Sequence, residues 1–203
     1  MCFTITKCLT LFYLLLPLMF TATGCRNNES ASQRARITPP TRTDVALGNT
    51  LLHLAPNWGV AERLIADGAD VNAKDNFGMT PLHTAVRAGR TDVVGLLTAN
   101  GADINAKSNA GHTPLFLAVA KGSKNIAEQL IARGAAVNTK DKFDMTPLHS
   151  AAHTGNKDMV ELLIAKGANI NAISIKGHTP LTLAKASGHT EITFLLRKHN
   201  AKE

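Results

Sequence analysis

Apolar residues recur along this chain in short groups at helical spacing. Leu82, Ala85 and Val86 form one stripe, and Val93, Val94, Leu96 and Leu97 form a second. Steps of three and four residues put such groups on one face of a helix. Helix punctuation surrounds them. The Thr80 hydroxyl suits an N-cap, and Pro81 suits the first helical position, where a missing N–H leaves no bond unmade. Gly89 and Gly101 supply the left-handed backbone that closes a helix, and Asp92 opens the second one. The pattern predicts two short helices followed by an extended turn with Asp75 at its bend. Two helices of this length leave an apolar face that the unit cannot bury alone.

The unit recurs. Gly78-Met79-Thr80-Pro81-Leu82-His83 returns as Gly111-His112-Thr113-Pro114-Leu115-Phe116, as Asp144-Met145-Thr146-Pro147-Leu148-His149 and as Gly177-His178-Thr179-Pro180-Leu181-Thr182, always 33 residues apart. A degenerate copy, Gly48 to His53, precedes them by 30 residues. A second motif keeps phase with the first: Gly68-Ala69-Asp70-Val71-Asn72 and its counterparts ending at Asn105, Asn138 and Asn171, with Asn200-Ala201 as a remnant.

Two motifs in phase at this period resemble the ankyrin repeat. The resemblance covers residues 48–203 as about five repeats, 48–77, 78–110, 111–143, 144–176 and 177–203. It implies an all-α ankyrin-repeat solenoid of helix-turn-helix units with β-hairpin-like loops, each unit contacting only its neighbours. At 8 to 10 Å between helix axes, five units extend roughly 50 Å. It also implies that His53, His83 and His149 hydrogen-bond within their turns. Repeat 1 reads as a distorted cap, being three residues short with Pro56 inside its first helix, where it removes a backbone hydrogen bond. Repeat 5 carries Lys185 where the others have Val86, Val119 or Ala152, as a terminal unit with a polar face would. Asp144 replaces the turn glycine and tolerates φ > 0 better than most residues. Leu162 and Leu163 are predicted in the core between repeats, and Leu183 on the exposed face.

The chain before the repeats has a different character. Met1 to Lys7 carries one lysine, Leu9 to Phe20 is a 12-residue run of mostly large apolar side chains, and Ala22-Thr23-Gly24-Cys25 follows. As helix that run is roughly 18 Å long, too short for a hydrocarbon core of about 30 Å. A charged start, a short apolar stretch and small residues are the order of a signal peptide, residues 1–24. Ala22-Thr23-Gly24-Cys25 also resembles the bacterial lipobox, which implies lipidation of Cys25 as the mature N-terminus. Arg26 in place of Asp then favours the outer membrane, facing the periplasm, in a Gram-negative host. Cleavage by the ordinary peptidase, giving a soluble periplasmic or secreted protein, is the alternative. Residues 25–47, polar and holding Pro39-Pro40, read as a flexible linker with a mean span of roughly 25 Å.

Composition narrows the chemistry. The chain is 44% hydrophobic and 18% charged, which argues against wholesale disorder. Cysteines stand only at positions 2, 8 and 25. A disulfide-stapled body, a Cys-ligated zinc site there and a cysteine nucleophile there are thus excluded. The net charge of +7 invites nucleic acid or anionic lipid. Yet there is no run of four Lys/Arg and no cluster of base-stacking aromatics, and export removes nucleic acid from reach. No G-x-G-x-x-G, P-loop or G-x-S-x-G motif occurs. His149 and His153 have the i, i+4 spacing of a helical metal pair, but no Glu follows His149. His112 and His178 are two repeats apart, roughly 20 Å, too far to share an ion. No catalysis, metal, cofactor or small-molecule substrate is expected.

Binding of another protein remains. Ankyrin repeats generally present their hairpin tips and the exposed face of their first helices as a concave protein-binding surface. On this chain the resemblance points to Trp58, Arg87, Leu117, Lys121, His153 and Leu183 on the helix side and to Phe77, Met79, Phe143 and Met145 on the hairpins. Trp58 and Arg87 are expected on adjacent first helices. The first functional reading is a lipid-anchored envelope scaffold or adaptor. An inhibitor or immunity protein for a toxin or lipase, and an accessory factor for an envelope enzyme, are alternatives.

Overall fold

The structure is a computed structural model that describes residues 49–202. Among the described residues ten helices follow one another, two to each repeat: α1 (Leu51–Leu54), α2 (Trp58–Ala66), α3 (Pro81–Ala88), α4 (Thr91–Ala99), α5 (Pro114–Ala120), α6 (Lys124–Ala132), α7 (Pro147–Thr154), α8 (Lys157–Ala165), α9 (Pro180–Ala186) and α10 (Thr190–Lys198). There is no strand among the described residues. The odd-numbered first helices pack on one another in sequence, and the even-numbered second helices form a parallel row. The result is the two-layered stack that the period predicts.

Local signals act where they were expected. Pro81, Pro114, Pro147 and Pro180 each occupy the first turn behind a threonine N-cap. Gly89 and Gly155 close their helices in the left-handed conformation. Asp144 takes that conformation with φ 56°, as does Asn200 with φ 64°. Gly111 has a second reason to be glycine: a Cβ there would lie 2.9 Å from Asp141 Cα.

The core runs along the stack. Leu82, Leu115, Leu148 and Leu181 repeat on successive first helices and are fully buried, as are Leu97, Leu130, Leu163 and Leu196 on the second helices. Each contributes about 1.5 to 3 kcal/mol relative to exposure. Leu96 and Leu162, expected in the core, are only half-buried. Their repeat position turns to the edge of the second-helix row, where Gln129 takes the same place in repeat 3. Leu183 is half-buried rather than openly exposed.

Repeat 1 also departs from expectation. Pro56 lies outside its first helix, in the connection that follows α1. That helix spans only four residues and is capped by Ala55. The three-residue deficit is taken from this helix, and Asn57 becomes the N-cap of α2, its side chain accepting the Val60 N–H at 3.0 Å.

Polar ladders cross every junction at the base of the stack. Asn72, Asn105, Asn138 and Asn171 each donate a side-chain N–H to the carbonyl 29 residues on, at Gly101, Gly134, Gly167 and Asn200. Each side-chain oxygen accepts a backbone N–H 31 residues on, at 2.7–2.8 Å. One amide thus satisfies two groups that a stacked unit would otherwise leave unpaired. Lys185 stands exposed where Val86, Val119 and Ala152 are buried, because repeat 5 is the last unit described and nothing described stacks beyond it.

Candidate protein-binding surface

The site builds from the hairpin turns. Asp75 Oδ1 accepts the N–H groups of Phe77 and Met79, both at 2.8 Å. Asp141 repeats this with Phe143 and Met145, while Ser108 and Ser174 accept from His112 and His178. The turn is held from inside, so the residues at its tip face outward. Tips are also joined to one another: Asn109 N–H donates to the Phe77 carbonyl at 2.8 Å, Lys142 to Ala110 at 3.1 Å and Ile175 to Phe143 at 3.0 Å. Phe77 and Phe143 therefore stand at one position of a continuous backbone row, two units apart, 54% and 57% exposed.

Histidines anchor the row to the helices. His83 Nδ1 accepts the Thr80 N–H at 3.1 Å, and its Nε2 donates across the junction to the His112 carbonyl at 3.0 Å. His149 does the same with Thr146 and His178, and His53 with Thr50 and Met79. The imidazoles thus bond within their turns, as the resemblance implies, and also reach the next unit. Burial holds His83 and His149 below the ordinary imidazole value, although the carbonyls they bond pull the other way. His149 is committed to this tie, and His153 instead meets Ser187 Oγ at 3.0 Å. Among the described residues no group of three or more His, Cys, Asp or Glu is placed to hold a metal ion.

The first-helix side lies against the same row. Arg87, at the end of α3, reaches back so that its Nη1 is 3.9 Å from Met79 Sδ. Lys121, the C-cap of α5, donates its ammonium to the Arg87 carbonyl of the preceding unit. Arg87, Lys121 and His153 are exposed, whereas Leu117, Leu183, Met79 and Met145 are half-buried. Thr84 and Ser150, which hold the repeat position of Leu117 and Leu183 in their own units, are buried, and Thr84 Oγ1 donates to the His53 carbonyl at 3.1 Å.

Trp58 is not on a first helix. It is the first residue of α2, on the second-helix row, and its N–H donates to Asp92 Oδ2 at 3.2 Å. The shortened α1 and the Pro56 connection move it there. It is 45% exposed. The residues brought together are Phe77, Met79, Arg87 and Lys121 on one stretch, and Phe143 with Met145 on another.

Exposed apolar side chains that the sequence reading passed over extend the second stretch. Ile173 and Ile175 are 56% and 62% exposed beside Phe143. An open cavity of about 290 Å³ is lined here by Phe143, Met145, Ser174, Lys176 and His178. Aligning the repeats makes them visible: Ile173 stands where other units have Lys74, Lys107 and Lys140, and Ile175 where they have Asn76, Asn109 and Lys142. Phe194, 72% exposed on α10, likewise replaces Gly95, Glu128 and Glu161.

Stacked helix pairs with a threonine–proline cap and an asparagine ladder define a class, the helical repeat solenoids. The family model described as Ankyrin repeats (3 copies) matches residues 18–108, 51–141 and 115–203, and the chain belongs to the ankyrin-repeat family. Over 53 residues, 25% of this chain, it is 45% identical to Neurogenic locus notch homolog protein 1 of Xenopus laevis and 43% identical to Rabankyrin-5 of Homo sapiens. Over 37 residues it is 57% identical to the 2-5A-dependent ribonuclease of Mus musculus. These stretches span 2%, 4% and 5% of those proteins, so the likeness is one of repeats. Ankyrin repeats are generally non-enzymatic protein–protein interaction modules, and this chain is built of them. Cys25 and the other N-terminal features lie outside the described residues. No helix among the described residues is long and apolar enough to cross a membrane.

Proposed function

We propose that this protein is a lipid-anchored adaptor of the bacterial cell envelope that docks another envelope protein on its hairpin tips and first helices. The observation that carries the docking half is the hairpin row, where Phe77 and Phe143 project from turns fixed internally by Asp75 and Asp141. Large rigid aromatics held outward contribute contact area at low entropic cost. The anchoring half is supported by Ala22-Thr23-Gly24-Cys25 after a short apolar run, and by a polar linker that gives the body reach from a membrane surface.

One experiment tests both halves. The full chain is expressed with an affinity tag at its C-terminus in a Gram-negative host, crosslinked, fractionated, and its partners recovered. Membrane fractionation with a protein partner is expected. Cys25→Ser should leave an unprocessed or soluble form, and normal membrane fractionation of that variant would overturn lipid anchoring. Partner recovery that survives simultaneous Phe77→Ala and Phe143→Ala would overturn docking on this surface.

A further inference from the structure

The charges of the described body are divided unequally between its layers. The first helices and the turns after them, residues 50–57, 80–90, 113–123, 146–156 and 179–189, contain no Asp or Glu. They make up about a third of the described residues and carry Arg87, Arg90, Lys121 and Lys185. The second helices hold six carboxylates against five Lys/Arg. A helix dipole favours cations at a C-terminus. It does not explain the contrast, because α4, α6 and α8 have no basic residue in their last turns.

The hairpins continue the same sign. Their lysines at 74, 107, 142 and 176 are exposed; of the carboxylates in the same loops Asp75 is buried and Asp141 and Asp144 are half-buried, while Asp70 and Asp103 are exposed, each accepting the N–H two residues on. Asp75 and Asp141 accept turn N–H groups, and Asp144 pairs with Lys140 at 3.3 Å. At the junction of repeats 2 and 3, the Lys121 ammonium bonds the backbone carbonyl of Arg87, so an exposed lysine of one unit lies against the helix end that carries the exposed Arg87 of the unit before. An anion seated on this face is attracted by both cations. Arg87 and Lys121 take no part in the ion pairs Arg63–Asp67, Lys140–Asp144 and Lys157–Glu191.

We propose that the docked partner contributes an acidic protein segment, with Asp or Glu interspersed among apolar residues, that lies over Arg87 and Lys121 beside the hairpin row. The carboxylates meet the acid-free first-helix face. The apolar residues meet the exposed rings and isoleucines that alternate with lysine along the tips. Charge complementarity of this kind governs partner choice and encounter rate, and it weakens as salt screens it. The inference rests on the adaptor reading and names the chemistry of its partner.

The test uses the full chain in detergent. Its probes are a labelled peptide of Asp, Glu and Leu, the same peptide with Asn and Gln in place of the acids, vesicles containing phosphatidylglycerol, and single-stranded DNA. The acidic peptide should bind at least about tenfold tighter than its neutral counterpart, and the difference should shrink as salt rises. Arg87→Glu with Lys121→Glu should abolish that preference, while Lys124→Glu with Lys166→Glu, the same charge change on the second-helix side, should preserve it. Arg87→Gln with Lys121→Gln should show an intermediate loss, and a melting curve on each variant confirms that the fold persists. Equal binding of the two peptides, equal losses in the two charge-reversed variants, or capture of vesicles or DNA in preference to the acidic peptide would each overturn the inference. A partner recovered from envelope extracts that ignores salt and Arg87→Glu overturns it as well, while leaving the adaptor reading intact.

Discussion

Two neighbouring junctions of this stack make the same contact with different chemistry. Between repeats 2 and 3, His83 uses one ring nitrogen to close its own helix start and the other to bond the His112 carbonyl. Between repeats 3 and 4, Phe116 occupies the equivalent position. Its ring stacks on His112, centroids 4.6 Å apart and planes 6° from parallel, and Thr113 Oγ1 caps the helix by accepting the Phe116 N–H at 3.2 Å. A phenyl ring packs but offers no N–H to the next unit. What both junctions share is the buried leucine line through Leu82, Leu115 and Leu148 and the asparagine ladder at the base, Asn105 at one and Asn138 at the other. The stack is therefore held by apolar continuity, and the imidazole tie is an increment on top of it.

If that ranking is right, the largest losses come from the leucine line and are alike at both junctions. Leu82→Ala and Leu115→Ala should each cost about 2 to 5 kcal/mol in urea unfolding. Leu183→Ala, at a half-buried place, should cost clearly less. A much smaller loss at Leu115 would mean that the junction without histidine is held by something else.

The imidazole itself should come next. His83→Ala removes a bond to Thr80 and one to His112 and should cost about 1 to 3 kcal/mol. Phe116→His installs the missing tie and should raise the unfolding midpoint, by about 0.5 to 1.5 kcal/mol less the lost stacking. A fall in midpoint would show that the His112–Phe116 stack is worth more than the tie.

Acid should separate the junctions further. Burial lowers His83 and His149 from the ordinary value of 6.5, so the folded state binds fewer protons than the unfolded chain. Their stabilisation is fully present above the unfolded value and is lost as pH falls below it toward the lowered folded value. Protonation would also turn Nδ1 from an acceptor into a donor facing the Thr80 N–H. Stability measured from neutral pH downward should decline through that window, and His83→Phe should flatten the decline. An unchanged slope in that variant would assign the acid response to other groups.

The smallest effects on stability should fall on the hairpin tips. Phe77→Ala and Phe143→Ala should change folding free energy by within about 0.5 kcal/mol. Affinity for a partner should fall by about 2 kcal/mol or more in isothermal titration. Trp58→Ala sharpens the contrast, because its place on the second-helix row predicts little effect on binding. A binding loss at Trp58 equal to that at Phe77 would mean that the partner wraps both layers.

What the sequence determined is what acts within a few residues. The period of 33, the threonine–proline starts, the left-handed closures at Gly89 and Asp144 and the fully buried leucines on successive first helices were legible, since caps and helical stripes are local physics. The exposure of Phe77 and Phe143 was legible because it follows from the turn that holds them. The tertiary structure decided whatever depends on where the next unit sits. The reach of each imidazole to a carbonyl of the next unit, the retreat of Thr84 and Ser150 into the core and the half-exposure of Leu96 and Leu162 come from the rotation between stacked pairs. So does the side of Trp58, since a four-residue α1 rather than a full first helix sets where α2 begins. Charge belongs to both. Each lysine, and the lack of Asp or Glu in the first-helix segments, can be read in the sequence, but only stacking sets the Lys121 ammonium on the Arg87 carbonyl and gathers those segments into one layer.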